Sequence, residues 1–250
     1  MPDPITAFAI FGTFLLAGAV KGVTGLGLPA VSLALLTVAL DLPSAMVLLL
    51  APSFVTNLWQ ALVGGNARAV VVRLWPFMLM ATATVWIGAA ALTRVNLFLL
   101  TALLGVLLFT YAMVSLAGLR IAIAPRHETW AGCLIGSANG VLAGMTGSFV
   151  FPGILFLQAI GLSREQLIQA MGMLFTTSTL ALAVALQGGG FLTVELGLLS
   201  AAAVIPALIG MLGGQRIRQK LPEERFRQVF FVALLVLGAY IAVNALRKLV

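Results

Sequence analysis

Gly18-Ala19-Val20-Lys21-Gly22-Val23-Thr24-Gly25-Leu26-Gly27-Leu28-Pro29 interrupts an apolar run, Ile5 to Leu40, that is too long for a single membrane crossing. Glycine lowers the cost of non-helical backbone and proline removes a donor, so the chain is expected to unwind in this stretch. The pattern returns as Gly140-Val141-Leu142-Ala143-Gly144-Met145-Thr146-Gly147-Ser148-Phe149-Val150-Phe151-Pro152. Gly18, Gly22, Thr24 and Gly25 match Gly140, Gly144, Thr146 and Gly147 at a constant offset of 122. Two such breaks at corresponding places in two halves are the sequence pointer to a transporter's binding site.

What surrounds the breaks is membrane-like. Of the 250 residues, 62% are hydrophobic and 8% charged, with a mean hydropathy of +1.15, whereas a soluble domain carries about 25% charged residues. Apolar runs of helix-spanning length recur along the chain, which favours a helical bundle over a barrel of short alternating strands. The net charge of +7 sits in short loops without a basic run interleaved with aromatics, so membrane topology rather than nucleic acid accounts for it. One cysteine, Cys133, and one histidine, His127, build neither an intrachain disulfide nor a His/Cys metal cluster, and no cofactor is expected. Met1-Pro2-Asp3-Pro4 lacks the positive region of a cleaved signal peptide.

The expected fold is all-α: a polytopic membrane bundle of two homologous, inverted repeats with broken or re-entrant first helices. Residues 1–119 form the first repeat, 120–129 the connecting loop and 130–250 the second repeat. In the first, the broken segment ends at the cap signal Asp41-Leu42-Pro43-Ser44 and is followed by segments Ala45 to Val63, Leu74 to Leu92 and Leu97 to Leu116. In the second, the broken run Trp130 to Ile160 is followed by the helix start Ser163-Arg164-Glu165-Gln166, then Leu196 to Gly214 and Val229 to Leu246. Ile87-Gly88 and Arg94 align the third segments with Ile209-Gly210 and Arg216, again at an offset of 122.

Each broken segment reads either as a re-entrant hairpin or as a crossing, and Lys and Arg counts in short loops discriminate between the two. If it returns to its starting side, Arg68, Arg73, Arg120, Arg126, Arg164, Arg216, Arg218, Lys220, Arg225 and Arg227 share one face, ten against Arg94, Arg247 and Lys248 on the other. If it crosses once, the split is seven to six. The first arrangement gives each half an odd number of crossings and inverts one half relative to the other.

Unwound backbone persists in a bilayer only where it lines a cavity or is packed in protein. Helix N-termini aimed at one point from both breaks would favour an anion there. Thr24, Thr146 and Ser148 add hydroxyls beside Gly25, Gly27 and Gly147, and Lys21 adds a basic side chain within an apolar run. Ser53, Thr56, Asn57 and Gln60 fall on one face of their helix, and Gln169, Gly172, Thr176, Thr179 or Leu180, Ala183 and Gln187 make a thinner stripe on its counterpart. Each feature has a plainer reading: glycines at spacing four for close helix packing, a lysine snorkelling to the interface, Asn57 and Gln60 as interhelical glue. The carboxylates all lie at segment ends, so no acidic proton carrier stands within a span.

The chain resembles the sulfite exporter TauE/SafE family of anion permeases. The resemblance is carried by Lys21-Gly22-Val23-Thr24-Gly25-Leu26-Gly27, by Pro52-Ser53-Phe54-Val55-Thr56-Asn57-Leu58-Trp59-Gln60, and by Pro152 followed by Gly161-Leu162-Ser163-Arg164-Glu165. It implies a bacterial inner-membrane transporter, usually an exporter, of sulfite, sulfonates such as sulfoacetate, or similar small organic anions such as carboxylates. Lys21, Thr24, Gly25, Asn57 and Gln60 match the family's first-half motifs, and Gly147, Ser148 and Pro152 the second. Leu26, Leu28, Phe149 and Val150 stand where many relatives carry glycine or proline, and they narrow any pocket at the breaks. The expected partners are the small anion and membrane lipid, with a homodimer as the default assembly. An anion channel and a membrane scaffold are the rival readings. A membrane-embedded enzyme is disfavoured because no nucleophile and base stand together.

Overall fold

The computed structural model describes residues 4–119, 122–218 and 223–249. Met1, Pro2 and Asp3 of the N-terminal reading, Arg120 of the linker and Lys220 of the basic count lie outside them, as do the side chains of Glu223 and Glu224. In chain order the helices are α1 (Pro4–Thr24), α2 (Leu28–Ala39), α3 (Leu42–Leu62), α4 (Ala67–Ala83), α5 (Val85–Ala89) and α6 (Leu97–Leu116), then α7 (Glu128–Thr146), α8 (Gly153–Ala159), α9 (Arg164–Gly188), α10 (Val194–Arg218) and α11 (Glu223–Arg247). The described residues contain no strand, and seven of their helical stretches are long and apolar enough to cross a membrane. A multi-pass helical bundle follows.

The breaks fall inside the expected stretches but are shorter than those stretches. Gly18 and Gly22 stay helical, and α1 runs on to Thr24 before the chain turns at Gly25 and Gly27, with φ of +77° and +98°. In the second half α7 runs through Gly140 and Gly144 and ends at Gly147, φ +75°. Each helix end is closed the same way. The Gly25 amide donates to the Lys21 carbonyl and the Gly147 amide to that of Ala143, both at 2.7 Å. The Leu26 amide donates to Thr24 Oγ1 at 3.1 Å, and the Ser148 amide to Thr146 Oγ1 at 3.2 Å. The duplicated Thr-Gly is therefore a device for ending a helix where no water can do so.

Gly18 and Gly22 remain helical because another backbone lies against them. A Cβ on Gly18 would sit 2.1 Å from the Ala207 carbonyl oxygen, and one on Gly22 2.2 Å from that of Met211. From the other side, a Cβ on Gly214 would meet the Ala19 carbonyl at 2.1 Å. The same seam recurs between α7 and α4–α5, where Gly144 faces the Val85 carbonyl at 2.1 Å and Gly88 that of Val141 at 1.9 Å. Small residues at spacing four bring backbones into contact and so replace the hydrophobic drive that lipid removes.

Each broken helix packs on the third segment of the other half, α1 on α10 and α7 on α4–α5. Within each seam the two helices run parallel, since Gly18 and Gly22 meet Ala207 and Met211 in that order. The seams also correct the expected alignment of the third segments. Gly88 stands against Val141 as Gly214, not Gly210, stands against Ala19, so the second-half helix is set one turn further along. The offset is constant along the seam, since Gly140 meets Ala81 and Gly144 meets Val85 where Gly18 meets Ala207 and Gly22 meets Met211.

α3 and α9 cross antiparallel at the centre. Gln60 Nε2 donates to the Ile168 carbonyl and Gln169 Nε2 to that of Ala61, each at 2.8 Å, while Ser53 and Thr179 hydroxyls meet at 3.4 Å. The polar stripes thus face protein except at the exposed Gln187 near the end of α9, and Thr179 rather than the exposed Leu180 belongs to the second one. Arg73 shows where the second broken segment goes: it bonds both Glu128 oxygens, at the start of α7, and the Ile160 carbonyl just past α8, at 2.7 to 2.9 Å. That segment begins and ends at the same end of the bundle.

Pro52 deprives α3 of one internal bond. The Leu48 carbonyl that would receive it accepts from the Ser200 hydroxyl at 2.9 Å, and Ser200 Oγ accepts in turn from the Ala51 amide at 3.0 Å. One side chain of α10 thus meets the orphaned carbonyl and a neighbouring amide. Ser200→Ala is expected to lower stability by about 1–3 kcal/mol, the cost of unpaired buried polar groups. An unchanged melting temperature in detergent would show that the proline kink is satisfied without Ser200.

Candidate anion site

Lys21 lies in the last turn of α1 and is 4% exposed. Its Nζ donates to Thr56 Oγ1 at 3.2 Å and to Asn57 Oδ1. Thr56 Oγ1 in turn donates to the Pro52 carbonyl at 2.7 Å, and Asn57 Nδ2 to Ser53 Oγ at 2.9 Å. A polar chain therefore runs from Lys21 through Asn57 and Ser53 to Thr179 in the other half. An ammonium in a membrane costs about 2.5–3.5 kcal/mol on insertion scales, and here it is met by neutral oxygens only.

Lys21 borders a cavity of about 560 Å³, together with Gly22, Gly25, Thr56, Gln60 and Ile168. Its rim includes Val63, just past α3, and Gln215 and Arg218 at the end of α10. The cavity therefore opens at the face where these helices end. A second cavity of about 480 Å³ lies on the other side of the first break, bordered by Thr24, Leu26, Tyr111, Arg164 and Arg227, and it shares Ile168 with the first. The break is the partition between two basic recesses.

The expected site residues divide into separate groups. Lys21, Gly25 and Gln60 line the larger cavity, and Asn57 stands behind Lys21 as its acceptor. Thr24 borders the smaller cavity, but its hydroxyl is engaged with the Val20 and Leu26 carbonyls at 2.9 and 2.8 Å. Gly27 sits against Val20 and the Phe230 ring. Thr146, Gly147 and Ser148 are remote from these: Gly147 packs on Leu33 and Met46, early in α3, whereas Lys21 meets Asn57, about three turns and roughly 16 Å further along. Thr146 donates to the Leu142 carbonyl at 2.7 Å, and Thr176 to that of Gly172 at 2.7 Å. The two breaks therefore stand at different depths.

Thr56 and Arg218 are among the lining residues that escaped the sequence reading as site members. Thr56 belonged to the polar stripe, and only its approach to Lys21 singles it out. Arg218 read as a topology charge, and its position at the cavity rim depends on the register of the α1–α10 seam. The arrangement offers an anion one buried ammonium and the second N–H of the Gln60 carboxamide, which suit charge-assisted hydrogen bonds to an oxyanion.

The family model described as Sulfite exporter TauE/SafE matches residues 10–241, nearly the whole chain. No curated protein and no solved structure matches it. With seven helices able to cross a bilayer and a buried lysine at the end of its first broken helix, the chain belongs to the sulfite exporter TauE/SafE family, a family of membrane transporters.

Proposed function

We propose that the chain is a secondary transporter, working as an exporter, of a small sulfur-containing or organic anion, with sulfite or a sulfonate such as sulfoacetate as cargo. It works by alternating access in the bacterial inner membrane. Two inverted repeats, residues 1–119 and 130–250 joined by 120–129, rock about the α3–α9 crossing. The antiparallel contact of these two helices, which hold corresponding places in the halves, supports the inversion. The return of the second broken segment to the end of the bundle where it began supports the ten-to-three distribution of basic residues, which puts the larger cavity's mouth in the cytoplasm.

The observation that carries this reading is Lys21: a buried ammonium with neutral partners, beside a cavity that opens on the basic face. A cation without a carboxylate within a span is costly unless an anion visits it. The test is the melting temperature of the detergent-purified protein against sulfite, sulfate, thiosulfate, sulfoacetate, acetate and chloride. A ligand that binds only the folded state at a hundred times its Kd adds about 2.7 kcal/mol, so one sulfur oxyanion is expected to give a saturable rise. No shift across the panel would overturn the cargo and raise the channel or scaffold reading.

A further inference from the structure

Three buried side-chain atoms have no hydrogen-bond partner among the described residues: Asn139 Nδ2, Ser148 Oγ and Ser178 Oγ. All three belong to the second half and flank its break. Asn139 Oδ1 accepts from the Gly153 amide at 2.8 Å, which ties the start of α8 to α7 and leaves the Asn139 amide donor turned away from that bond. Ser148 lies in the unwound stretch itself, next to Phe149. Phe149 approaches Phe175 of α9, with centroids 6.1 Å apart, and Ser178 is the next turn of that helix.

Elsewhere in the bundle the helical hydroxyls find partners. Ser32, Ser137, Thr146 and Thr176 each donate to a carbonyl four residues back. Ser178 makes no such bond, and Thr177 takes the Leu174 carbonyl that Ser178 would otherwise reach. An unpaired buried polar group away from water requires an explanation of its own.

The repeat supplies one. At the offset of 122, Ser178 and Thr179 correspond to Thr56 and Asn57, and Ala143 to Lys21. In the first half Lys21 and Thr56 border the larger cavity, and Leu26, the counterpart of Ser148 at the same offset, borders the smaller one. In the second, Phe149 and the Gly147 contact with Leu33 and Met46 fill the counterpart space. We propose that Asn139, Ser148 and Ser178 form a second anion-coordinating half-site, with Ser178 and Ser148 at the places that Thr56 and Leu26 hold beside the two first-half cavities, uncovered on the opposite face when the bundle reorients.

The half-site offers two hydroxyls and a carboxamide N–H, all donors to an oxyanion, and no cation, since alanine replaces lysine. It takes the same small oxyanion as the first cavity and holds it by neutral hydrogen bonds alone. The inference rests on the transport reading above, deepens it, and places the anion's exit.

The test uses full-length protein in proteoliposomes and in detergent. Ser178→Ala and Ser148→Ala are expected to melt at or above the parent temperature, because an unpaired group is removed. Anion exchange should fall at least tenfold in each, while the anion-induced shift seated at Lys21 persists. In a Cys133→Ala chain carrying Ser178→Cys, an impermeant maleimide is expected to label the thiol from the face where α1 begins. Parent-like exchange in both alanine variants, a clear loss of melting temperature, or a thiol that never labels from that face would overturn the proposal. A parent chain with neither anion shift nor exchange would instead sink the cargo reading, and labelling would still report whether the second cavity opens.

Discussion

Lys21→Met is expected to abolish the anion-induced rise in melting temperature and to reduce anion exchange at least a hundredfold, with little change in the melting temperature of the unliganded protein. The two stability terms oppose each other. Removing an ammonium from the bilayer interior gains about 2.5–3.5 kcal/mol on insertion scales. Leaving Thr56 Oγ1 and Asn57 Oδ1 without the donor they now share costs about 1–3 kcal/mol. Binding has no such offset, because the charge-assisted bonds to the anion are lost outright. Cys133→Ala, on a half-buried cysteine of α7 remote from the cavity lining, is the control and should behave as the parent. A Lys21→Met protein that retained a saturable shift with the same anion would remove Lys21 from the site.

Gly214→Ala should be strongly damaging, and Gly213→Ala next to it should be harmless. At Gly214 the added carbon would lie 2.1 Å from the Ala19 carbonyl oxygen, a backbone atom that cannot turn aside, while at Gly213 it would meet nothing within 4 Å. Overpacking of this kind costs about 1–3 kcal/mol when neighbours can shift, and the backbone contact puts Gly214 at or above the upper end of that range. Alanine at Gly213 gains up to about 1 kcal/mol of helix propensity. The pair is compared by melting temperature and by yield of monodisperse protein. Equal behaviour would mean that α1 and α10 are not in backbone contact.

The helices and the places of both breaks could be read from the sequence, because hydropathy, capping and glycine patterns are local. Asp41 and Ser163 cap α3 and α9 where their motifs stand. The burial of Ser53, Thr56, Asn57 and Gln60 was also legible, since a polar stripe in lipid has to face inward.

The partners were not legible. Gly18 and Gly22 mark both a place to unwind and a surface to press against, and only the approach of α10 decides for the second. Thr24 and Thr146 look like hydroxyls offered to a ligand until their bonds to the Val20 and Leu142 carbonyls are seen. The depth of each break depends on where it meets α3, so the separation of Lys21 from Ser148 carries no local signature. The one-turn offset between the two seams, already present where Gly140 meets Ala81 and Gly18 meets Ala207, likewise carries no local signature.

The exchanged seams bear on how the protein is made. α1 has its glycine face ready as soon as it leaves the ribosome, yet the helix that covers it, at Ala207 and Met211, is synthesised roughly 190 residues later. At about 5–20 residues per second, that interval is on the order of 10–40 s. During it the ridge of small residues on α1 lies open to lipid, to an insertase or to a neighbouring nascent chain. α7 emerges to a finished α4–α5 and docks at once. The two seams share a geometry but not a schedule, and α1, made well before α10, waits longest to be secured.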